Sequence, residues 1–257
     1  MSPGAGLDLG ATVTVVTGAG GGIGSAIARS FAAAGAAVVA QYRGSRTAAE
    51  TLVESIQRAG GRATSVRADI TREDECEDMV ATATREFGRL DALVNNAGVQ
   101  PVQDLAAMTA EQWREVVDTN LTGTFLATQA AARVMREAGG GSITHIASIE
   151  GSHPAWSHAH YTASKAAVLA HAKSAALEYG RDAIRVNAVS PGLVDNGSLR
   201  TGWPEGVERW LHAAPLGRLG AGADIGNACV FLASPLASWI TGHDLVVDGG
   251  ASVHPTW

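Results

Sequence analysis

Tyr161 and Lys165 stand four residues apart at the start of an Ala-rich stretch. On a helix that spacing puts both side chains on one face. A free tyrosine has a pKa of about 10 and is a poor base at neutral pH. A nearby ammonium favours the phenolate and lowers that value. Such a pair can donate a proton to a forming alkoxide or take one from an alcohol. In isolation the same spacing also describes an ordinary Tyr/Lys pair on a solvent face. Ser148 lies thirteen residues before the tyrosine.

A second chemical feature lies near the start of the chain, in Thr17-Gly18-Ala19-Gly20-Gly21-Gly22-Ile23-Gly24. It follows a β-branched run and precedes a helical one. Glycines at a strand-to-helix turn let a pyrophosphate approach the backbone, and the helix N-terminus offers free N–H groups and a positive dipole end. The acidic residue that would grip the ribose 2′-hydroxyl of NAD some 20 residues on is absent, because no Asp or Glu occurs from Ser25 to Ala49. Gln41-Tyr42-Arg43-Gly44-Ser45-Arg46 stands there instead. Arg43 can hold a 2′-phosphate by charge-assisted contacts, which points to NADP(H) over NAD(H). The other reading is a solvated arginine, with NAD used as well or better. Asp69 is a candidate partner for the adenine amino group.

The elements that must position these groups alternate. Strands are predicted at Thr12–Thr17, Ala36–Tyr42, Ala63–Ala68, Ala92–Asn95, Ser142–Ala147, Ile184–Val189 and Leu245–Asp248. Helices are predicted at Ser25–Ala34, Thr47–Ala59, Glu73–Phe87, Ala110–Glu137 and Tyr161–Tyr179. Strands separated by helices imply parallel pairing with right-handed crossovers. The expected fold is α/β: a Rossmann-type, doubly wound, mostly parallel seven-stranded sheet with helices on both faces. All 257 residues read as one dinucleotide-binding catalytic domain. The Pro- and Gly-bearing stretch from Pro191 to Gly222 has no strong periodicity and reads as a substrate loop or lid, at about residues 193–215. The other reading is an ordinary excursion with a small helix near Gly206–Ala213.

Composition narrows the class. Apolar residues make up 46% of the chain and charged residues 17%, which suits a folded core. Net charge is −6, with no run of Lys or Arg, so nucleic acid is not the expected partner. Cys76 and Cys229 lack metal-type spacing, and their helical-looking contexts read them as buried or half-buried thiols. No apolar run is long enough for a membrane helix, and residues 1–10 lack the basic start and apolar stretch of a signal peptide. A cytoplasmic enzyme is expected.

Taken together, these motifs resemble the short-chain dehydrogenase/reductase superfamily, in its compact single-domain form, over nearly the whole chain. Thr17-Gly18-x-x-x-Gly22-Ile23-Gly24 is similar to its glycine turn, and Asn95-Asn96-Ala97-Gly98 to its segment after the fourth strand. Ser148, Tyr161-x-x-x-Lys165, Pro191-Gly192, Pro215-Leu216-Gly217-Arg218 and Val247-Asp248-Gly249-Gly250 follow in the family's order. The resemblance implies a nicotinamide-dependent oxidoreductase acting on a ketone or secondary alcohol. It places Ser148 on the substrate oxygen, Lys165 on the nicotinamide ribose, and Asn120 on a water relaying protons towards Lys165. The expected cofactor contacts are Gly18, Gly20, Gly21, Gly22, Ile23, Gly24, Tyr42, Arg43, Asp69, Ile70, Asn96, Ala97, Gly98, Tyr161, Lys165, Pro191, Gly192 and Val194. Where the family often has a threonine past Pro-Gly, this chain has Asn196, which can make the same contacts.

His153, His158 and His160 read as pocket or rim residues rather than metal ligands. With Trp156 and Trp203 they hint at a bulky or aromatic substrate. Ala-dense helices around Asn120 and Tyr161, with the resemblance, imply a homotetramer or homodimer, and the tail Ser252–Trp257 reads as a possible subunit contact. Two rival readings are a non-redox lyase and a non-catalytic nucleotide sensor on the same fold. The intact glycine turn speaks against the first and the Tyr/Lys pair against the second.

Overall fold

The structure is a computed structural model that describes residues 7–253. Its frame is a seven-stranded sheet in the order β3-β2-β1-β4-β5-β6-β7, with every pairing parallel. The strands are β1 (Val13–Val16), β2 (Ala37–Tyr42), β3 (Ala63–Arg67), β4 (Ala92–Asn95), β5 (Gly141–Ile146), β6 (Ile184–Pro191) and β7 (Asp244–Val247). The helices are α1 (Gly22–Ala33), α2 (Arg46–Arg58), α3 (Glu73–Phe87), α4 (Ala110–Val117), α5 (Gly123–Glu137), α6 (Ala159–Tyr179), α7 (Leu199–Gly202), α8 (Pro204–Ala213) and α9 (Gly222–Ala233).

Both faces of the sheet are covered, so the strands are apolar on both sides. Successive strand residues point to opposite faces. Val13, Val15, Ala37, Val39 and Leu93 join one core with residues of α3, α5 and α6. Val16, Val38, Ala40 and Val94 join the other with residues of α1, α2 and α9. Cys76 and Cys229 are buried in α3 and α9, as expected, and burial pushes both thiols up.

Strand order reverses between β1 and β4, and the crevice outside the carboxyl ends of the strands there is the natural ligand site of such a sheet. One departure from expectation bears on that site. The helix predicted over Ala110–Glu137 is interrupted by one π-type turn at Asp118–Thr122, which contains Asn120. The helical context expected around Cys229 is helix α9. Its glycines weaken the helical pattern, yet they permit its packing: a Cβ on Gly222 would stand 2.5 Å from Ala26 Cβ, and Gly226 faces Ser30, both on α1. In the loop after β6, α8 stands where a small helix was read near Gly206–Ala213, and a single turn, α7, precedes it. The last strand also ends one residue earlier than predicted, where Asp248 turns back to accept from Gly250 N at 2.8 Å and Ser252 N at 2.8 Å.

Candidate active site

One cleft, with a volume of about 1010 Å³, runs across the carboxyl ends of the strands. Its first wall is the glycine turn. Gly18 has φ +63°, a region open to glycine, and a Cβ there would lie 2.9 Å from Ala97 Cα. Gly18 N donates to Gln41 Oε1 at 2.7 Å, and Gln41 Nε2 donates to Ala68 O at 2.5 Å, tying the turn to β2 and the end of β3. Asn96 Nδ2 donates to Thr17 O at 2.9 Å and Gly18 O at 3.2 Å. The N–H groups of Asn96 and Ala97 donate to Thr17 Oγ1 at 2.9 and 3.0 Å. The segment after β4 is thus fastened to the turn.

Helix α1 opens from Gly21 with no side-chain cap and no acidic residue in its first turn. Its leading N–H groups and positive dipole end therefore face the cleft without a competing carboxylate. Glycine at 18, 20, 21, 22 and 24 leaves room for a pyrophosphate against the backbone. The residues fit a dinucleotide.

Tyr42, Arg43, Ser45, Asp69 and Ile70 line the far end. Asp69 is partly buried, which disfavours its charge, but hydrogen bonds from Thr71 and the charges of Arg43 and Arg67 hold its carboxyl below the usual range. Arg43 Nη1 stands 3.9 Å from Asp69 Oδ2, and its side chain remains 57% exposed, free to reorient towards an anion.

Ser148, Tyr161 and Lys165 meet at the other end. Ser148 follows β5 and caps a short 3₁₀ turn, accepting from Glu150 N at 3.1 Å. Tyr161 and Lys165 lie in the first turns of α6. Lys165 Nζ donates to Ile146 O at 2.7 Å and lies 5.6 Å from the centroid of the Tyr161 ring. The expected lowering of the tyrosine pKa by this ammonium is not what the protein provides. Burial pushes the Tyr161 phenol up to about 12, with the Ser148 hydroxyl pulling it down and the Glu150 charge adding to the rise. Burial also brings Lys165 down to about 8.

Between the folded value of about 8 and the ordinary 10.5, the unfolded chain binds more protons at Lys165 than the folded one. Stability from this group therefore rises with pH across that window. A Lys165→Met variant is expected to melt higher than the parent at neutral pH, with the gain shrinking as pH climbs from about 8 to 10.5. Melting curves across pH check this; equal slopes for parent and variant would contradict it.

Asn120 does not line the cleft. It is fully buried behind Gly98. Its Oδ1 accepts from Val99 N at 2.8 Å, and its Nδ2 donates to Val99 O at 3.0 Å and Ser164 Oγ at 3.1 Å. It clips the segment after β4 to α6, beside Lys165. The remaining expected cofactor contacts, from Gly18 through Val194, all line the cleft, as does Asn196. Two aromatic expectations fail. Trp156 is 96% exposed and lies outside the cleft, because the turn before α6 points it to solvent. His160 is buried beneath the start of α6, bonded to Gln103 Oε1 at 2.8 Å and to its neighbour's N–H at 2.9 Å. His153, His158 and Trp203 do line the cleft.

Sequence reasoning missed Gln100, Glu150, Arg209 and Trp210 as cleft residues. Glu150 alone carried a signal, standing two residues past Ser148. Among the described residues no group of His, Cys, Asp or Glu is arranged to hold a metal, and no helix is long and apolar enough to cross a membrane. The tail expectation falls mostly outside the described residues.

Residues 18–252 match a family profile described as Enoyl-(Acyl carrier protein) reductase. The chain is 42% identical over 246 residues to L-rhamnose 1-dehydrogenase (NAD(P)(+)) of Azotobacter vinelandii, covering 93% of this chain and 96% of that one. It is 39% identical over 243 residues to 3-oxoacyl-[acyl-carrier-protein] reductase of Synechocystis sp., with 93% and 96% covered. A solved structure of 7α-hydroxysteroid dehydrogenase with NADH and 7-oxo glycochenodeoxycholic acid superposes with a TM-score of 0.92 at 37% identity, covering 97% of this chain and 98% of that one.

Proposed function

The chain belongs to the short-chain dehydrogenase/reductase family, and we propose that within it this protein is an NADPH-preferring carbonyl reductase. It interconverts a ketone and a secondary alcohol, with NAD(H) as the weaker cofactor. The observation that carries this is the convergence of Ser148, Tyr161 and Lys165 at one end of a cleft whose other end is a glycine cradle.

The nicotinamide, when bound, supplies or accepts the hydride. Ser148 holds the substrate oxygen beside the tyrosine. Tyr161 gives its phenolic proton to that oxygen as negative charge develops there. A phenol pushed up to about 12 is protonated at neutral pH, which suits donation and hence the reductive direction. Lys165, anchored on Ile146 O, holds the nicotinamide ribose and delivers the replacement proton. Asn120 keeps the segment after β4 in place beside that lysine.

The relatives named above are named for L-rhamnose, a 3-oxoacyl-[acyl-carrier-protein] and a 7α-hydroxysteroid, which share a reacting alcohol or carbonyl group and differ in the molecule carrying it. Trp203, Trp210 and Leu199 in the cleft support a bulky substrate. Exposed Phe125 on α5 and Leu177 on α6 support a homotetramer or homodimer, and we place the enzyme in the cytoplasm. Incubation with NADPH and a panel of ketones should consume the reduced cofactor. No turnover on a broad panel, with a Tyr161→Phe control indistinguishable, would refute the reading.

The cofactor preference has its own expectation. Arg43→Ala should weaken NADPH binding by about 1.5–3 kcal/mol, the worth of a hydrogen bond to a charged group, and leave NADH binding nearly unchanged. Titration of both cofactors by fluorescence decides it. Equal losses for the two would leave the NAD-preferring reading, with Arg43 solvated, as the better one.

A further inference from the structure

A second pocket, of about 590 Å³, lies beside the cleft, against β7 and the turns that follow it. Its wall is chiefly apolar, with Leu193, Pro215, Leu216, Val246, Val247 and Val253. Its charged groups are already engaged. Arg218 makes a two-pronged pair with Asp224 at 2.6 and 2.9 Å, and Asp248 accepts from Gly250 N and Ser252 N. What this pocket offers a ligand is therefore apolar surface. Gly192, Leu193 and Trp210 line both it and the cleft, so they form the wall between the two. Trp210 is the large side chain of that wall. It stands on α8, and its indole lies against the end of β6: a Cβ on Gly192 would come within 2.5 Å of indole Cη2 and 2.8 Å of Asp248 Cβ. Glycine at 192 thus lets the indole reach the sheet. The place is close to the reacting groups. Strands β5 and β6 pair with Ile146 beside Val189, and Ala147 N continues the ladder by donating to Val189 O at 2.8 Å. Extending that register sets Ser148 level with Pro191, and Gly192 follows directly. The Trp210 N–H is buried with no hydrogen-bond partner among the described residues, so packing alone holds the ring.

We propose that Trp210 determines which ketones the cleft accepts: its indole is the partition that ends the substrate end of the cleft and shuts off the second, apolar pocket. The two substituents of a ketone leave the carbonyl carbon in divergent directions. With the oxygen held at Ser148, at most one of them faces Gly192. That arm meets the indole and must be short, while the other is not limited by it. Replacing the indole with a small side chain joins the two pockets and gives the first arm an apolar channel. Apolar surface rewards apolar length, because each methylene removed from water favours binding. The ligand class that gains is a ketone with two long apolar arms. The proposal deepens the reductase reading and rests on it for the ketone. The shared wall between the two pockets does not depend on that reading.

Symmetric dialkyl ketones, from diethyl to dipentyl ketone, test the partition because both arms lengthen together. The quantity to follow is kcat/KM with NADPH for Trp210→Ala, divided by that of the parent. The ratio is expected to lie below one for diethyl ketone, where the lost wall loosens the fit. It should climb along the series by up to about fourfold per methylene gained in the channel and exceed roughly tenfold at dipentyl ketone, with the gain in KM. Trp210→Phe, which keeps an aromatic ring against Gly192, should show a smaller rise of the same sign and stands in should the alanine variant fail to fold. A merely structural role for the indole would lower every member of the series alike. Calorimetric titration of the protein saturated with oxidised cofactor needs no turnover, and there Trp210→Ala should bind dipentyl ketone roughly tenfold more tightly than the parent. A ratio that stays flat along the series, or equal affinity of parent and variants for dipentyl ketone, overturns the proposal. Tighter binding by the variant in a protein that reduces no ketone refutes the reductase reading and leaves the partition standing.

Discussion

Tyr161→Phe is expected to lower kcat for ketone reduction by about a thousandfold, in the middle of the range for a positioned proton donor. The change deletes one hydroxyl and leaves the ring, whose edge meets His158 and near whose face Lys165 sits. Folding and cofactor binding should survive. The phenol is buried and held protonated, so its removal takes away the group that meets the developing oxygen charge and little else. Nucleotide titration and thermal melting should match the parent, while single-turnover hydride transfer collapses. A variant retaining kcat within about tenfold of the parent would show that another group, or water, delivers the proton. Ser148→Ala should reduce the rate less, because it removes the oxygen's holder and leaves the donor in place.

Gly24→Ala is expected to abolish measurable cofactor affinity and destabilise the protein by about 2–4 kcal/mol, in the range of an overpacked, backbone-shifting substitution. A Cβ at this position would collide with Gly18 O and stand 2.5 Å from Asn96 Nδ2. Both are parts of the cradle. Gly18 sets the turn in the left-handed region, and Asn96 ties it to the segment after β4. Either the turn moves and takes the α1 N-terminus with it, or the bond from Asn96 is lost. Isothermal titration with NADPH and denaturant unfolding read the two effects separately. A control at Gly44, where a Cβ would meet nothing within 4 Å, should leave stability nearly unchanged. Wild-type affinity in Gly24→Ala would mean that the turn does not hold the pyrophosphate.

The two variants test features that differed in how openly the chain displayed them. Glycine spacing in residues 18–24, the Ser148 to Tyr161 interval and the Tyr161-to-Lys165 step are local patterns. Each depends on a turn or a helix pitch that neighbouring residues dictate, so each could be read directly. The alternation of β-branched runs with Ala-rich stretches likewise carried the parallel sheet, since strands buried on both faces must be continuously apolar. The π-type turn at Asp118–Thr122 left no such trace, since it costs one residue in an otherwise helical pattern.

What the residues determined alone is the candidate reacting end of the enzyme: a glycine turn, a hydroxyl, a phenol and an amine, in the order the family shows. Tertiary structure decided the electrostatics of that end and the identity of its neighbours. Desolvation is a property of what packs around a group, not of its spacing, so the burial that raises Tyr161 and lowers Lys165 reversed the effect expected from the pair. Helix pitch and turn direction sent Trp156 to solvent and His160 beneath α6, and brought Gln100, Glu150 and His158 together from three segments up to 58 residues apart, from 100 to 158. Contacts of that separation leave no periodic trace along a chain, because only the parallel pairing of β4 with β5 brings the segments that follow them together.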